Sequence, residues 1–383
     1  MSRDLKLLAG VFFLWALGEG LFFVFMPLYA EQLGGSAVQI GLLLALNPIG
    51  QVLTMIPAGI AVDRWGARPV LLSGWGLGVV SAAVMASASN LTTLGTGFLL
   101  YGLSGWVIPA ITGYVAAGRG ALPPERALAR VFAAFPAGLI VSQIVGGQIA
   151  ERFGLQVNFV LATTIFTLST IVLVFVRAQP VASAHERHGY SLVLRNRIFL
   201  RYMGVVFVAM VGMSIGYSFA PNFLQLRWDV PVGAIGVLAA VAALGDVVLR
   251  LALGQGPPRR AFIAVQLASM LYLFIILRTG VMGWLVVAFS LRGGAVIGLQ
   301  FVDAVATRIV RESQQGLAFG ISATVASSAG ILAPVLAGWL YAAQPAAPFV
   351  AGLLLTPVAI VLTVLYAPRA HRSNAPQTVV ESA

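Results

Sequence analysis

The stretch "AGIAVDRWGARPVLL", residues 58–72, places a group of charged side chains between two long apolar runs. Asp63, Arg64 and Arg68 lie close together in a chain of which only 9% of the residues are charged. Two glycines, Gly59 and Gly66, flank the Asp-Arg pair. A polar segment of this kind between hydrophobic segments predicts a short loop at a membrane surface, and the surrounding sequence decides its role.

The composition is that of an integral membrane protein. Of the 383 residues, 59% are hydrophobic, and the mean hydropathy is +0.95. Soluble domains are about 45–50% apolar and about 25% charged. A soluble fold with this much apolar surface would need a charged exterior, which this chain lacks.

The same composition excludes several other classes of site. There are no cysteines, so disulfides and thiolate metal sites are ruled out. The three histidines lie in polar stretches, and no pair has the helical spacing of metal ligands inside an apolar segment. We therefore predict no metal and no cofactor. The net charge of +11 is scattered along the chain, so nucleic acid is not an expected partner.

Twelve apolar segments are long enough to cross a bilayer, which takes about 20 residues. These spans 1–12 are 5–33, 37–62, 68–88, 91–118, 127–150, 156–177, 197–225, 232–254, 260–278, 281–307, 314–342 and 345–367. Span 1 is too long for the core of a signal peptide, so we predict that it is retained as a membrane helix. The fold class is thus all-α with twelve transmembrane helices.

The distribution of basic residues predicts the orientation. If the N-terminus is cytoplasmic, all but four of the 23 Lys and Arg residues lie at or near the inner face. The exceptions are Arg152, Arg227, Arg278 and Arg292. This excess indicates a multi-pass protein of the plasma (inner) membrane with both termini in the cytoplasm. The bilayer is then a partner, and a monomer is expected.

The two halves of the chain are related by a weak internal repeat. An offset of 194 pairs Pro27 with Pro221, and an offset of 195 pairs Gly50 with Gly245. Similar offsets recur in other corresponding spans, which indicates two pseudosymmetric six-helix bundles. The predicted domains are an N-terminal bundle at 1–177, a cytoplasmic linker at 178–196, a C-terminal bundle at 197–367 and a disordered cytoplasmic tail at 368–383.

Two such bundles resemble the layout of major facilitator superfamily transporters. The opening stretch is similar to that family's loop 2–3 signature, carried here by Gly59, Asp63, Arg64, Gly66 and Arg68. The resemblance implies that Asp63 faces the start of span 11, where a carboxylate favours the helix N-terminus. The motif would then latch the inner face and bias a conformational equilibrium without touching substrate.

The sequence departs from the family in three places, one of which is the second-half counterpart of the loop 2–3 signature, reduced here to "GQGPPRRA". Tyr101 takes the slot of an arginine often found in span 4, and Ser142-Gln143 replace the Gly-Pro of the antiporter signature in span 5.

Ionisable side chains within spans are costly, and they usually face the bundle interior or a water cavity. Glu19 lies near the middle of span 1, so we predict a proton-titratable or substrate-binding acid. The alternative is a structural carboxylate paired with a basic group such as Arg292. Arg292 in turn could hold an anionic substrate or a carboxylate.

The remaining intramembrane charges lie in spans 8 and 10. Asp246 and Arg250 share one helical face and could neutralise each other. Arg250 is predicted to serve pairing or an inner gate, whereas Asp246 could also couple protons or contact substrate. Asp303 is close to the inner face, which favours a gate role.

Polar and aromatic residues in the inner spans could line a substrate cavity. The candidates are Trp15, Asn47, Gln51, Tyr101, Trp106, Gln143, Tyr217, Asn222 and Gln300.

These features predict a secondary transporter and not an enzyme. No phosphate-cradling loop is present, so ATP-driven transport is unsupported. The leading hypothesis is proton-coupled efflux of a small organic solute by alternating access, on resemblance to bacterial exporters. The alternative is proton-coupled uptake of a sugar or organic acid. A sensor or embedded enzyme is a more distant alternative, because no histidine or cysteine lies within the spans.

Overall fold

The computed structural model describes residues 2–119, 123–178, 196–292, 295–307, 309–310 and 315–367. Every regular element in these ranges is a helix. The predicted linker and tail lie outside the described residues, apart from the linker's two end positions.

The helices follow the predicted spans in order. Spans 2, 3, 6, 8, 9, 11 and 12 are Ala37–Trp65, Ala67–Ala86, Leu155–Val174, Val232–Leu253, Pro258–Arg278, Gln315–Ala343 and Ala347–Tyr366. The other five spans are each made of two main helices: Arg3–Phe22 and Met26–Gln32, Leu91–Ser104 and Val107–Gly118, Pro124–Phe132 and Ala134–Phe153, Arg197–Ile215 and Ala220–Trp228, Met282–Leu291 and Ala295–Ala306.

The prediction of twelve transmembrane helices is confirmed, and five of these spans are interrupted within the membrane. Two of the breaks have a clear cause. Pro27 and Pro221 lie in the first turn of the second helix of spans 1 and 7, where a missing N–H costs nothing. These prolines are a pair in the internal repeat, so the repeat places the same interruption in both halves.

Each half forms its own bundle, and the halves meet mainly through two pairs of spans, with a smaller contact between spans 1 and 7. Span 2 packs on span 11, and span 5 packs on span 8. We call the end of the bundle that holds Ser2 and Ala367 the terminal end, and the other end the opposite end.

The buried apolar residues divide according to these two ends. At the opposite end, a single cluster contains residues of both halves, such as Phe22, Phe98, Phe219 and Phe349. At the terminal end each half has a separate cluster, one around Trp75 and the other around Phe262. The halves are thus closed against each other at one end only.

The outer surface is suited to lipid. In the described residues, ten helices are long and apolar enough to cross a membrane, and two shorter apolar helices form span 10. Large apolar side chains such as Leu53, Leu168 and Leu354 are exposed on this surface. The chain is a multi-pass membrane protein with a twelve-helix architecture.

Candidate functional site

A cavity of about 750 Å³ lies between the two halves. The shared cluster of the opposite end closes it on that side, while the separate clusters of the terminal end leave it open toward the chain termini. Pockets that hold drug-sized molecules have volumes of about 300–1,000 Å³. The described residues hold no group of three or more His, Asp or Glu side chains that could bind a metal.

Glu19 of span 1 lies on the wall of this cavity. The hydroxyl of Tyr101 donates a hydrogen bond to Glu19 Oε2 at 2.7 Å. Trp15 Nε1 donates in turn to the Tyr101 hydroxyl at 3.3 Å. Tyr101, which takes the arginine slot of span 4, therefore holds the carboxylate by a hydrogen bond, and this is a different partner from the Arg292 considered above.

Aromatic rings pack behind this hydrogen-bonded chain. Trp15 stacks on Phe166 with ring centroids 4.1 Å apart and lies 4.9 Å from Trp75. The approach depends on two glycines, because a Cβ on Gly18 would overlap Phe166 and a Cβ on Gly78 would overlap Trp15. The orientation of Glu19 is thus fixed by packing in spans 1, 3, 4 and 6.

Arg292 lines the same cavity from the C-terminal half. Its guanidinium donates to the Tyr217 hydroxyl and lies over the Tyr217 ring, 3.8 Å from the centroid. The Phe289 ring is 5.9 Å away. Glu19 and Arg292 therefore face one central cavity from opposite halves, and each is held by a tyrosine.

The other intramembrane charges lie further from the cavity. Asp246 is attracted electrostatically by both Arg292 and Arg250, so it acts on Arg292 from span 8. Asp303 lies beside Ser322 of span 11, inside the C-terminal half. This placement leaves the proposed pairing and gate roles as predictions.

The structure places some of the predicted cavity residues along the cavity and others elsewhere. Asn47, Gln51, Tyr101 and Tyr217 line the cavity, and Gln51 Nε2 donates to Asn47 Oδ1 at 3.0 Å. The described lining residues do not include Trp106, Gln143, Asn222 or Gln300. These residues could not be separated from the others by sequence, because residue type does not report which face of a helix is turned inward.

Each of the four residues that do not line the cavity has another environment. Trp106 packs where a Cβ on Gly74 would stand, and Gln143 lies in the span 5–span 8 contact. Gln300 is exposed on the surface of span 10. Asn222 belongs to the contact between the halves at the opposite end.

Hydrogen bonds join the two halves at the opposite end. Asn222 Nδ2 donates to the Pro27 carbonyl at 3.2 Å and to Glu31 Oε2. The backbone N–H of Gly233 donates to Glu151 Oε2 at 2.8 Å. Among the described residues these are the hydrogen bonds that link the halves. Glu31 and Glu151 were missed in the sequence because they lie at span ends, where a carboxylate is ordinary.

Glycines allow the helix backbones to meet in the same region. A Cβ on Gly41 of span 2 would overlap the Pro334 carbonyl of span 11, and Gly338 lies next to it. In the second contact, a Cβ on Gly236 of span 8 would overlap the Gln143 carbonyl of span 5. We call these glycine contacts and the inter-half hydrogen bonds the seal. Small residues of this kind let membrane helices approach closely.

The signature loop lies at the terminal end. Gly66 has φ of 79°, in the left-handed region that favours glycine, and it joins spans 2 and 3. Arg68 donates to the carbonyls of Val176 and Val174 at 2.8 and 2.9 Å, so it ties span 3 to the end of span 6 within one half. Arg64 is exposed, and no atom would meet a Cβ on Gly59 within 4 Å. The side chain of Asp63 and residues 311–314 lie outside the described part.

Comparisons with known proteins agree with this architecture. The family model of the Major Facilitator Superfamily matches residues 8–302. "Multidrug resistance protein 2" of Bacillus subtilis (strain 168) is 24% identical over 372 residues, which cover 91% of this chain and 92% of that protein. "Tetracycline resistance protein, class E" of Escherichia coli is 27% identical over 377 residues, which cover 90% of this chain and 89% of that protein.

A solved structure shows the same fold. The nucleoside transporter NupG superposes with a TM-score of 0.75 at 14% identity, covering 95% of this chain and 98% of that one. At this identity the likeness concerns the fold alone. Since the family model covers most of the chain, the protein belongs to the Major Facilitator Superfamily. It is a membrane transporter of small molecules with the twelve-helix fold of that family.

Proposed function

We propose that this transporter exports a small organic solute in exchange for protons. The observation that carries the proposal is Glu19, a carboxyl group on the wall of the central cavity that is held by Tyr101. Intramembrane acids of this kind commonly serve proton relays in pumps and transporters. Several relatives are multidrug, tetracycline and quinolone resistance proteins, which supports efflux.

The proposal places the terminal end in the cytoplasm. Arg68, Arg119, Arg177, Arg201 and Arg259 belong to this end, and an excess of basic residues is typical of cytoplasmic loops. The cavity is then open to the cytoplasm, which is the side from which an exporter takes its substrate.

Transport would follow from rocking of the two halves about the cavity. In the other state the seal separates, the terminal end closes, and the substrate leaves from the opposite side. The signature loop would stabilise that second state through Asp63. A proton that enters from outside would bind Glu19 after release of the substrate, and its departure to the cytoplasm would prepare the carboxylate for the next cycle.

The test is gradient-driven uptake by inverted membrane vesicles with an acidic lumen, using tetracycline and norfloxacin as first substrates. Glu19→Gln cannot exchange a proton, so we expect accumulation to fall at least tenfold while counterflow continues. Asp229→Asn, which removes an exposed carboxylate outside the cavity, is the matched control and keeps accumulation. Unchanged gradient-driven accumulation in Glu19→Gln would remove this residue from the mechanism.

The same vesicles separate export from uptake. Proton-coupled uptake of a sugar or organic acid predicts that the acidic lumen drives solute out of inverted vesicles, because substrate and proton move together. Accumulation in the lumen supports exchange, and loss from the lumen contradicts it.

A further inference from the structure

The two walls of the cavity differ in chemistry. The wall of the N-terminal half carries seven aromatic rings, namely Phe12, Trp15, Phe23, Trp75, Phe98, Tyr101 and Phe135. The described wall of the C-terminal half carries two rings, Tyr217 and Phe289, and more small or hydroxyl-bearing residues, namely Ser214, Ser218, Ala220, Ala323, Ala326, Ser327 and Gly330. A flat apolar molecule would therefore rest against the first wall, where stacking is available.

The charges of the cavity are also divided between the halves. Among the described lining residues, Glu19 is the acid and Arg292 is the base. The Glu19–Tyr101 pair joins spans 1 and 4, whereas the Arg292–Tyr217 pair joins spans 10 and 7. Spans 1 and 7 correspond in the repeat, as do spans 4 and 10. The two pairs thus occupy corresponding spans of the two halves, with the acid on span 1 and the base on span 10.

Both charged groups keep capacity for a ligand. A guanidinium has five N–H donors, and the Tyr217 hydroxyl is the hydrogen-bond acceptor that the described residues give Arg292. An ionised carboxylate can accept up to about four hydrogen bonds, and Glu19 receives one from Tyr101. Asp246, which does not line the cavity, offsets part of the Arg292 charge. An anionic group of a ligand at Arg292 can therefore leave again.

We infer that the preferred substrate is an aromatic zwitterion. Its cationic group lies at Glu19, its anionic group lies at Arg292, and its flat body rests on the aromatic wall. A molecule with a single charge pairs with either Glu19 or Arg292 and leaves the other one desolvated without a counter-charge. An unpaired charge is unfavourable in a cavity of low dielectric. This assignment rests on the proposed function, because competition between the ligand's cation and a proton at Glu19 is what exchange requires.

The test uses three ligands that share one aromatic body and differ in charge. Norfloxacin is a zwitterion at neutral pH, its ethyl ester is a cation, and N-acetylnorfloxacin is an anion. Equilibrium dialysis against purified protein, with the quinolone fluorescence as readout, measures their affinities without any gradient. We expect norfloxacin to bind at least tenfold more tightly than either analogue.

Two variants assign each charge to its wall. Arg292→Gln should abolish the preference of norfloxacin over the ester, and Glu19→Gln should abolish its preference over the N-acetyl compound. Each variant should still bind the analogue that lacks the corresponding charge, which shows that it is folded. Arg292→Lys should keep part of the preference, since the cation remains.

Three results would overturn the assignment: no saturable binding of norfloxacin, equal affinity for the three ligands, or an equal loss of all three in Arg292→Gln. Because no gradient is used, these failures are distinct from failure of proton exchange. Suppose that the three ligands bind tightly and equally well, and that Glu19→Gln still loses gradient-driven transport. That result would contradict the zwitterion assignment and leave proton exchange intact.

Discussion

The two ends of the bundle hold the halves in different ways. At the opposite end, one apolar cluster extends across both halves, and the seal adds glycine contacts and hydrogen bonds. At the terminal end, each half buries its own cluster. The hydrogen bonds of Arg68 also stay within one half. Each half can therefore remain folded while the contact between them changes.

The difference shows why the seal can open. Its backbone contacts involve glycines, which have no side chains to interlock, and its polar links are few. Net contributions of about 0.5–1.5 kcal/mol are typical for one hydrogen bond. The Glu151 carboxylate adds attraction to the positive N-terminus of span 8, worth about 0.3–1 kcal/mol. The polar links are thus small enough to be offset by a comparable latch at the other end, while the shared apolar cluster supplies the rest of the closure.

The strongest perturbation is bulk within the seal. Gly41→Val and Gly236→Val place side chains where the Pro334 and Gln143 carbonyls lie, so the opposite end cannot close. We expect transport to fall more than tenfold. Gly204→Val is the matched control, because no atom lies within 4 Å of a Cβ there.

The structural effect of these variants can be measured directly. The chain has no cysteines, so spin labels at Gln32→Cys and Arg227→Cys report the distance between the halves without removal of native thiols. The glycine variants should lengthen this distance. A normal distance together with lost transport would contradict the seal as the cause.

A smaller effect is expected from the polar links of the seal. Glu151→Ala removes the acceptor of the Gly233 N–H and the charge at the start of span 8. A loss of about 1 kcal/mol shifts the closed-to-open ratio about fivefold. The labels at Gln32→Cys and Arg227→Cys measure this ratio as two distance populations. Glu151→Gln keeps an acceptor and should shift it less; an equal shift would argue against the hydrogen bond.

The smallest effect on the structure described here is expected from a substitution at the terminal end, where the halves are apart. Asp63→Asn should leave substrate affinity within about twofold, because the residue is predicted to act only in the other state. Turnover should fall several-fold, since that state loses the attraction between a carboxylate and a helix N-terminus. Equilibrium dialysis and vesicle transport measure the two quantities. A larger loss of affinity than of turnover would contradict the latch.

Much of the site could be predicted only as a set of residue types. Glu19 was recognisable because an acid in the middle of an apolar span has few explanations other than function. Asn222 was chosen for the same kind of reason and proved to belong to the seal. Along a helix, small changes in rotation decide whether a polar side chain faces a cavity, a neighbouring helix or the surface, and apolar spans carry little periodicity that could report this rotation.

The sequence by itself determined the membrane class, the twelve spans, the repeat and the family. The length of an apolar segment and the loop signature are local properties of the sequence, so they can be recognised without knowing which residues are in contact. Only the tertiary structure decided that Tyr101 holds Glu19, that Tyr217 holds Arg292, and that the halves meet at the opposite end. Those facts depend on contacts between residues more than 70 positions apart, such as Tyr101 with Glu19 at a separation of 82. Such distant pairs are set by how the helices pack against each other, which no local pattern encodes.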